Sequence, residues 1–424
     1  MVLILLSTFL LAMMINVPIA FCLGLGVFVA MTATTGLPIS IIPLKMSSML
    51  HNFSLLAIPL YILAGQLMNK SGISSHLLAF AKACVGRIRG GIAMANVLDS
   101  LFFGGISGSS LADVASLGAM IIPEMKKDGY DVNFTGALTA ATATLSGIIP
   151  PSISFVLYGT IAGTSIAALF LAGLIPGILL ATTQLIYCYV YARYHHHPIG
   201  PKITLKEFLH VLRLNLVPLG MPIIIVGGIY GGVFTATEAG VVSVVYALIA
   251  GVFVYKNIKL KDLADALIEA AIISAIPALI IAFSGSFAFL SSYADVPLKF
   301  SNFILSLTRD KTMILILINV MLLIIGMFMD GAAVYPIVVP IFMPILLSLG
   351  ISPVHFGVII VFNLSIGLLT PPVGGVLYAV CAVGDLNPIE VAKKMIPLIL
   401  IAIGDLMLIT YIPWLSEFIP SLMK

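Results

Sequence analysis

The chain has 424 residues, of which 61% are hydrophobic and only 9% are charged. A soluble domain carries about 25% charged residues, so this composition excludes a soluble enzyme, a nucleic-acid-binding protein and a secreted disulfide scaffold. The net charge of +3 indicates no acidic partner. Apolar runs of about 18 residues or more recur along the chain, as in membrane-spanning helices. The sequence therefore predicts an all-α polytopic protein that resides in the lipid bilayer.

Glycine, proline and charged residues divide the chain into apolar segments. In chain order they cover residues 3–33, 51–69, 91–105, 110–125, 133–160, 163–191, 216–233, 236–255, 271–290, 312–327, 331–348, 354–381 and 389–411. The first is interpreted as a single span rather than a cleaved signal, because no basic region precedes it and no polar stretch follows it.

Two pairs of segments are too short to cross a bilayer, which takes roughly 20 residues. The pair 91–105 and 110–125 is joined by glycines and serines, and the pair 312–327 and 331–348 by Asp330 and Gly331. A short helix, a small-residue tip and a second short helix predict a re-entrant hairpin. Such backbone is tolerated at depth only where protein or a watery cavity satisfies it.

An internal repeat relates the two halves of the chain. A shift of 221 positions places Pro150 and Pro151 on Pro371 and Pro372, and lays the first hairpin on the second. Further matches are Pro123 with Pro344, Gly129 with Gly350, Gly136 with Gly357 and Pro176 with Pro397. We interpret residues 15–181 and 236–402 as two repeats, with 216–233 as a connecting span.

The basic residues predict the orientation, because cytoplasmic loops are enriched in Lys and Arg. The polar stretch 191–215 is placed in the cytoplasm, and counting spans outward puts 15 basic residues on that side and 5 outside. The cytoplasmic set is Lys70, Lys82, Arg87, Arg89, Lys126, Lys127, Arg193, Lys202, Lys206, Arg213, Lys256, Lys259, Lys261, Lys393 and Lys394; the outer set is Lys45, Lys299, Arg309, Lys311 and Lys424. The two hairpins then enter from opposite sides, so the repeats are inverted.

Inverted repeats with interrupted helices are typical of secondary transporters. The amphipathic segments 71–89 and 293–310, just before each hairpin, are interpreted as interfacial arm helices. An open ion channel is disfavoured by the paired broken helices, which suit alternating access.

Each double proline interrupts a helix and frees backbone carbonyls four residues back. The freed carbonyls are those of Ser146 and Gly147 in one repeat and of Gly367 and Leu368 in the other. Sodium accepts such oxygens, and the hydroxyls of Ser152 and Thr370 can add to them. The alternative is a simple kink whose carbonyls a neighbouring helix or water satisfies.

The tip of the first hairpin carries the hydroxyl-rich run Ser107, Gly108, Ser109 and Ser110 at the start of a helix, which suits a carboxylate ligand. The alternative is that Ser109 or Ser110 only caps the helix. Asp113 and Asp330 are intramembrane carboxylates and so candidate functional groups, or first-turn and capping residues. Asn96 is interpreted as a structural residue that hydrogen-bonds one helix to another. For Asn363, a structural and a functional role both stay open.

A rival hypothesis is an intramembrane serine protease, because residues 105–108 match a G-x-S-G pattern. A serine nucleophile needs a base within hydrogen-bond reach. Every histidine falls at a span edge or in a loop, and the inverted repeat is left unexplained, so the sequence indicates no enzyme.

Four motifs resemble the large membrane subunit of the tripartite ATP-independent periplasmic (TRAP) transporters. They are VGRIRGG at 85–91, FGGISGSSLAD at 103–113, PVHFGV at 353–358 and NLSIGLLTPPVG at 363–374. The resemblance implies an elevator-type transporter of the bacterial inner membrane that imports an organic acid, sialic acid or a C4-dicarboxylate, with sodium and without nucleotide. It implies two partners, a small four-helix membrane subunit and a periplasmic substrate-binding protein.

The resemblance also implies a division into domains and a set of site residues. Residues 1–90 and 191–311 are scaffold and arm, 91–190 and 312–411 form the transport domain, and 412–424 is a tail. Implied sodium ligands are Gly326, Gly367, Thr370 and Val373, with Gly105, Ser146, Ile149 and Ser152 as their counterparts by the 221-residue shift. Implied substrate-facing residues are Ser107, Gly108, Ser109, Ser110, Pro150, Pro371 and Gly374, with Asp113, Asp330 and Asn363 as supporting polar groups.

One alternative within transport stays open. A stand-alone sodium–dicarboxylate symporter of similar inverted-repeat architecture needs no binding protein. No phosphate-binding G-x-x-x-x-G-K motif occurs in the chain, so neither reading uses a nucleotide.

Overall fold

A computed structural model of the protein describes residues 1–200 and 203–423. Within these residues every regular element is a helix, and one isolated antiparallel bridge joins Arg89 to Ile199. Six of the described helices are long and apolar enough to cross a membrane, or seven if a pair bent by 62° at residues 51–52 counts as one span. The all-α membrane architecture is confirmed. Lys202 and Lys424, which entered the charge count, lie outside the described residues.

The N-terminal part differs from the prediction of a single span over 3–33, which is wrong. The chain turns at Asn16, whose φ of 65° is left-handed, and at Pro18. The second helix folds back on the first, so that Gly26 lies against the backbone of Leu5. The helices here are α1 (Val2–Met14), α2 (Ile19–Thr34), α3 (Ile41–Leu50), a 3-10 turn (Phe53–Leu56), α4 (Ala57–Lys70) and the arm helix α5 (Ile73–Val85).

The first repeat contains the predicted hairpin and broken helix. Hairpin 1 comprises α6 (Gly91–Ser107), α7 (Ser110–Asp113), a π-helical turn (Val114–Gly118) and α8 (Ala119–Lys127). The broken helix comprises α9 (Val132–Ala143), a 3-10 turn (Thr144–Gly147) and α10 (Ile153–Ala162), and α11 (Ile166–Tyr194) follows it.

The connecting spans are longer than the sequence pattern predicts. The span predicted at 216–233 begins at Leu205, because Thr204 and Glu207 form a capping box eleven residues upstream. The connecting elements are α12 (Leu205–Tyr230), α13 (Ala236–Ile249) with a π-helical turn (Ala250–Val254), α14 (Leu260–Tyr293) and the second arm helix α15 (Val296–Leu307).

The second repeat has the same order of elements as the first. Hairpin 2 comprises α16 (Lys311–Gly326) and α17 (Gly331–Ser348), and the second broken helix comprises α18 (Pro353–Gly367) and α19 (Gly375–Gly384). The chain ends with α20 (Pro388–Tyr411) and α21 (Trp414–Ser421), so the segment interpreted as a tail contains a helix.

Both ends of hairpin 1 lie on the same side of the protein. Before the hairpin, Arg89 pairs with Ile199, and after it the ring of Tyr130 stacks on His197 with centroids 3.7 Å apart. The loop around His197 therefore contacts the entry and the exit of the hairpin. We call this side, where Arg89, His197 and Lys394 lie, the basic end.

Both ends of hairpin 2 lie at the opposite side. The Tyr411 hydroxyl donates to the Thr312 carbonyl at 3.3 Å, and His355 Nδ1 lies 2.6 Å from the Ser416 hydroxyl. These contacts surround the C-terminal end of α20, whereas Lys394 near its start pairs with Asp131 at the basic end. About 26 Å of helix separates the two positions at 1.5 Å per residue. The geometry confirms that the repeats are inverted.

Helices of each repeat pack against helices of the other repeat, so neither repeat forms a hydrophobic core alone. Broken helix α9 packs against α20 of the second repeat, and α18 packs against α11 of the first. At the crossing of α11 and α20, the Thr183 hydroxyl donates to Asp405 at 2.7 Å. Hairpin 2 likewise packs against α10, and α19 packs against the π-helical turn of hairpin 1.

The ion pair between Asp131 and Lys394 gives a test of this exchange. Partial burial acts to raise the pKa of Asp131, but Lys394 and the backbone N–H groups of Asn133 and Phe134 outweigh it and hold the pKa below its ordinary value. The stabilisation is therefore present at neutral pH and is lost as the pH falls through the lowered pKa of Asp131.

We expect Lys394→Ala to destabilise the protein by about 0.2–1 kcal/mol, because both partners are partly exposed and screened by solvent. Lys393→Ala is the matched control, since the one ion pair of Lys393 in the described part of the chain is with Glu390 on its own helix. Thermal unfolding in detergent at pH 7 measures the difference, and a double-mutant cycle with Asp131→Asn isolates the pair. Equal effects of the two lysine variants at pH 7 would contradict the contact.

Candidate functional site

The tip of hairpin 1 lies directly against the first broken helix, and we call this contact junction 1. The Gly108 carbonyl accepts a hydrogen bond from the N–H of Ile153 at 3.4 Å. A Cβ added to Gly104 would lie 2.8 Å from the Ser146 Cα, so the two backbones touch. Only glycine permits this approach.

The two carbonyls that the double proline frees at junction 1 differ in their hydrogen bonding. The Ser152 hydroxyl donates to the Gly147 carbonyl at 2.5 Å and also caps α10 through the N–H of Phe155. Among the described residues, no donor reaches the Ser146 carbonyl, because Ile149 donates to Leu145 and residue 150 is proline. The interpretation as a simple kink therefore fits the Gly147 carbonyl, whereas the Ser146 carbonyl accepts no hydrogen bond from the described residues.

Asp113 is part of junction 1 rather than a simple first-turn residue. It is fully buried, and its carboxylate accepts hydrogen bonds from Ser146 at 2.6 Å and from Ser100 at 3.3 Å. Ser109 caps the short helix through the N–H of Ala112, as the capping alternative proposed. The Ser110 hydroxyl faces Gly147 beside the hydroxyl of Ser365.

The second broken helix meets hairpin 2 at an equivalent contact, junction 2. A Cβ on Gly367 would lie 2.5 Å from the carbonyl carbon of Gly326, and the Val373 N–H donates to Met327 at 3.1 Å. The Thr370 hydroxyl donates to Ile366 at 2.9 Å. The carbonyls of Gly367 and Leu368 accept N–H groups within the turn, but among the described residues no donor reaches the Gly326 carbonyl.

Several predicted site residues face elsewhere. Gly105 points at Pro222 of α12, with an added Cβ 2.8 Å from the proline ring, and Gly104 takes its place beside Ser146. The Ile149 side chain packs against Gly177 of α11. Asp330 caps α17 through the N–H of Ala332 at 2.7 Å.

The two turns differ in exposure. Pro150 is buried, whereas Pro371 is exposed and Val373 keeps 50% of its surface. Gly374, the residue before α19, has a φ of 33°, a conformation that disfavours a side chain. Junction 1 is therefore enclosed, and junction 2 is open on its outer side.

Asn363 joins two helices of the second repeat. Its amide N–H donates to the carbonyl of Asn319 at 3.1 Å and to the Asn319 side chain at 3.0 Å. Its own Oδ1 is buried without a hydrogen-bond partner among the described residues. Asn96 makes the matching interhelical bond in the first repeat, to Thr139 at 2.9 Å.

A polar cavity of 390 Å³ lies between hairpin 1 and the helices α4 and α5. Its polar lining consists of Gln66, Asn69, Ser74, Ser75 and Ser116. Amide and hydroxyl groups of this kind orient a polar ligand of small-molecule size.

Sequence reasoning missed four buried polar groups of this region: Asp99, Ser100, Thr142 and Ser365. Asp99 was visible as the single charged residue of the apolar segment 91–105, and an intramembrane carboxylate is a functional candidate. The hydroxyl residues give no such signal, because Ser and Thr are common in membrane helices.

Comparison with known proteins identifies relatives over the whole chain. The chain is 40% identical over 426 residues to the uncharacterized protein YgiK of Salmonella typhimurium, covering 99% of this chain and 97% of the relative. It is 37% identical to the C4-dicarboxylate TRAP transporter large permease protein DctM of Pseudomonas aeruginosa, with 94% of each chain covered. It is 36% identical to the sialic acid TRAP transporter large permease protein SiaM of Vibrio cholerae, with 93% and 92% covered. Isethionate and 2,3-diketo-L-gulonate occur in the names of other relatives.

Among solved structures, the fold is similar to the crystal structure of the Alcanivorax borkumensis YdaH transporter. The TM-score is 0.62 at 17% identity, over 90% of this chain and 89% of that chain. At this identity the likeness concerns the fold alone. A family model described as the tripartite ATP-independent periplasmic transporter, DctM component, matches residues 6–415. The chain therefore belongs to the DctM family of TRAP transporter permeases.

Proposed function

We propose that this permease imports an organic acid, sialic acid or a C4-dicarboxylate, by coupling it to the inward movement of sodium. The acid is delivered by a periplasmic substrate-binding protein, and a small four-helix membrane subunit works with this chain in the bacterial inner membrane. The transport domain moves against the scaffold as an elevator. The observation that carries the proposal is the pair of junctions, each with a buried backbone carbonyl that no donor reaches among residues 1–200 and 203–423.

The junctions suit sodium because they offer oxygen ligands at bilayer depth. An unsatisfied carbonyl in hydrocarbon costs several kcal/mol, and a cation removes that cost. Among the described residues no donor reaches the Ser146 or Gly326 carbonyl, and the hydroxyls of Ser146 and Thr370 belong to the same two broken helices. Each junction combines a hairpin tip with a broken helix, so a bound ion fixes one against the other.

The polar cavity beside hairpin 1 suits the substrate. Gln66 and Asn69 offer amide donors there, and Ser116 adds a hydroxyl from the hairpin. The hydroxyls of the tip residues Ser107 and Ser110 are buried in hairpin 1 and do not line this cavity. Donors without a fixed positive charge accept carboxylates and sugar hydroxyls alike, consistent with the acids in the relatives' names.

The driving force is sufficient without nucleotide. One charge crossing 100 mV gains about 2.3 kcal/mol, and a tenfold concentration gradient adds about 1.4 kcal/mol. Two sodium ions therefore supply about 7 kcal/mol before the negative charge of the substrate is subtracted.

Uptake into proteoliposomes tests the proposal. The chain with its small subunit is reconstituted, and labelled sialic acid and succinate are offered with and without an inward sodium gradient and the binding protein. We expect uptake only when sodium and the binding protein are both present. Sodium-driven uptake of succinate without the binding protein would instead establish the stand-alone symporter, and uptake that ignores sodium would reject the coupling.

Gly367→Ala tests junction 2. The new methyl group would lie 2.5 Å from the backbone of Gly326, so hairpin and broken helix must separate. We expect loss of sodium-dependent uptake and a lower unfolding temperature. Gly404→Ala is the matched control, since nothing lies within 4 Å of that position on α20. There the alanine is expected to be neutral or to stabilise its helix by up to about 1 kcal/mol. Wild-type sodium dependence in Gly367→Ala would contradict the role of junction 2.

A disulfide tests the elevator movement. A Cβ on Gly65 of α4 would lie 3.6 Å from the Ser107 Cβ of hairpin 1, within the range of about 3.5–4.5 Å that a disulfide spans. In a background where the exposed Cys84 is replaced by serine, we expect the Gly65→Cys/Ser107→Cys form to stop transporting on oxidation and to recover on reduction. Each single variant is the control for its substitution. Undiminished uptake by fully cross-linked protein would exclude movement between α4 and hairpin 1.

A further inference from the structure

Asp99 is a carboxylate with no hydrogen-bond partner in the interior of the protein. It keeps 1% of its surface, and neither carboxylate oxygen has a donor among the described residues. It lies in the middle of α6, the first helix of hairpin 1. An ionised carboxylate in such a place costs several kcal/mol unless a counter-charge meets it.

The surroundings of Asp99 are rich in oxygen. Asn96 and Ser100 lie on the same face of α6. Ser100 donates to Asp113 or to Thr142, at 3.3 Å and 3.1 Å, and Asn96 Oδ1 lies 3.3 Å from the Thr142 hydroxyl. These side chains come from three elements that meet inside hairpin 1 and α9. They form a cluster of the hard oxygen donors that sodium prefers.

The charges around Asp99 leave the cluster negative. The charged groups that act on it are Asp113, Lys82 and Glu124. Lys82 is already paired with Glu124, so it contributes no uncompensated positive charge. Asp99 and Asp113 therefore place two carboxylates in a buried cluster that has no matching cation among the described side chains.

We propose that Asp99, with Asp113 and the Ser100 hydroxyl, binds a sodium ion at a third site, which adjoins junction 1 through Asp113 but does not use its backbone carbonyl. The inference rests on the proposed sodium coupling and extends it. The ion supplies the missing counter-charge to Asp99. Asp113 accepts the Ser146 hydroxyl, so occupancy of this acidic site is transmitted directly to junction 1.

A cavity lies at the basic end of hairpin 1. It measures 560 Å³, and Lys82, Glu124, Lys127 and Asp128 line it. The charges of Lys82 and Glu124 also act on Asp99, so the acidic cluster is electrostatically coupled to the lining of this cavity. The π-helical turn Val114–Gly118 begins directly after Asp113, and such turns are frequent at functional sites.

Asp99→Asn tests the site, with Asp405→Asn as the matched control. Asp405 is equally buried in the membrane region but has its own donor, Thr183, and lies outside the cluster. The purified chain with its small subunit is titrated with sodium at constant ionic strength, choline replacing sodium, and unfolding temperature is followed. We expect Asp99→Asn to weaken the apparent sodium affinity at least about tenfold and to lower the Hill coefficient. Asp405→Asn is expected to match the wild type.

Direct counting of bound ²²Na⁺ by equilibrium dialysis completes the test. We expect three ions per wild-type chain and one fewer in Asp99→Asn, or in Asp99→Ser if the first variant does not fold. If neither folds, the wild-type count decides, and saturation at two ions or fewer overturns the third site.

The outcomes distinguish a failure of the third sodium site from a failure of the proposed sodium-coupled transport. Sodium-dependent uptake with an unchanged ion count in Asp99→Asn removes the third site alone. A sodium-independent wild type removes the proposed function as well. If Asp99→Asn keeps its sodium affinity but loses a pH dependence that the wild type has, the group binds a proton, and the sodium site is likewise rejected.

Discussion

The structure depends on one constraint: a backbone carbonyl or N–H group at bilayer depth needs a partner. Two double prolines remove donors from the middle of α9–α10 and α18–α19, and each break lies against the tip of a hairpin. Glycine makes the contact close enough, at Gly104 beside Ser146 and at Gly326 beside Gly367. Neither a hairpin nor a broken helix is stable in lipid without the other, and this mutual need explains why the two repeats are interlocked.

The two repeats share a fold, but different kinds of hydrogen bond stabilise their two junctions. At junction 1 side chains make the hydrogen bonds. The Ser152 hydroxyl donates to the Gly147 carbonyl, and the Asp113 carboxylate accepts from the Ser146 hydroxyl. At junction 2 the contact is made by backbone atoms. The carbonyls freed in the turn accept hydrogen bonds from N–H groups within the turn itself. The 221-residue shift equates Ser146 with Gly367, so a hydroxyl in one repeat stands where the other has no side chain. The proposed sodium ion at junction 1 would therefore be linked to the Asp113 carboxylate, whereas the one proposed at junction 2 would depend on backbone geometry alone.

Glycine and proline made much of the fold predictable, because they mark places where a helix cannot continue. The hairpins, the broken helices and the internal repeat were visible in this way, and the distribution of basic residues added that the repeats are inverted. Hydropathy failed at 3–33, since an apolar run gives no sign that the chain folds back at Asn16 and Pro18. For Asp113 the sequence left two roles open, a functional carboxylate and a first-turn residue. Its partner Ser146 is 33 residues away, and only the tertiary structure brings the two together.

The location of the buried acids follows from the inverted arrangement. Hairpin 1 enters and leaves at the basic end, so its helices run from that end to junction 1 at their tip. Asp113 lies at the tip and contacts the junction, Asp99 lies two turns back along α6, and Lys82 and Glu124 are nearer the basic end. Negative charge inside a low-dielectric region attracts a cation more strongly than the same charge in water. For the proposed sodium ion at junction 1, the carboxylates of Asp113 and Asp99 would lower the barrier to release toward the basic end. Hairpin 2 has no comparable pair of carboxylates along α16, whose described residues between Thr312 and Gly326 carry no acid. The two junctions, alike in backbone, are thus expected to release their ions by different routes.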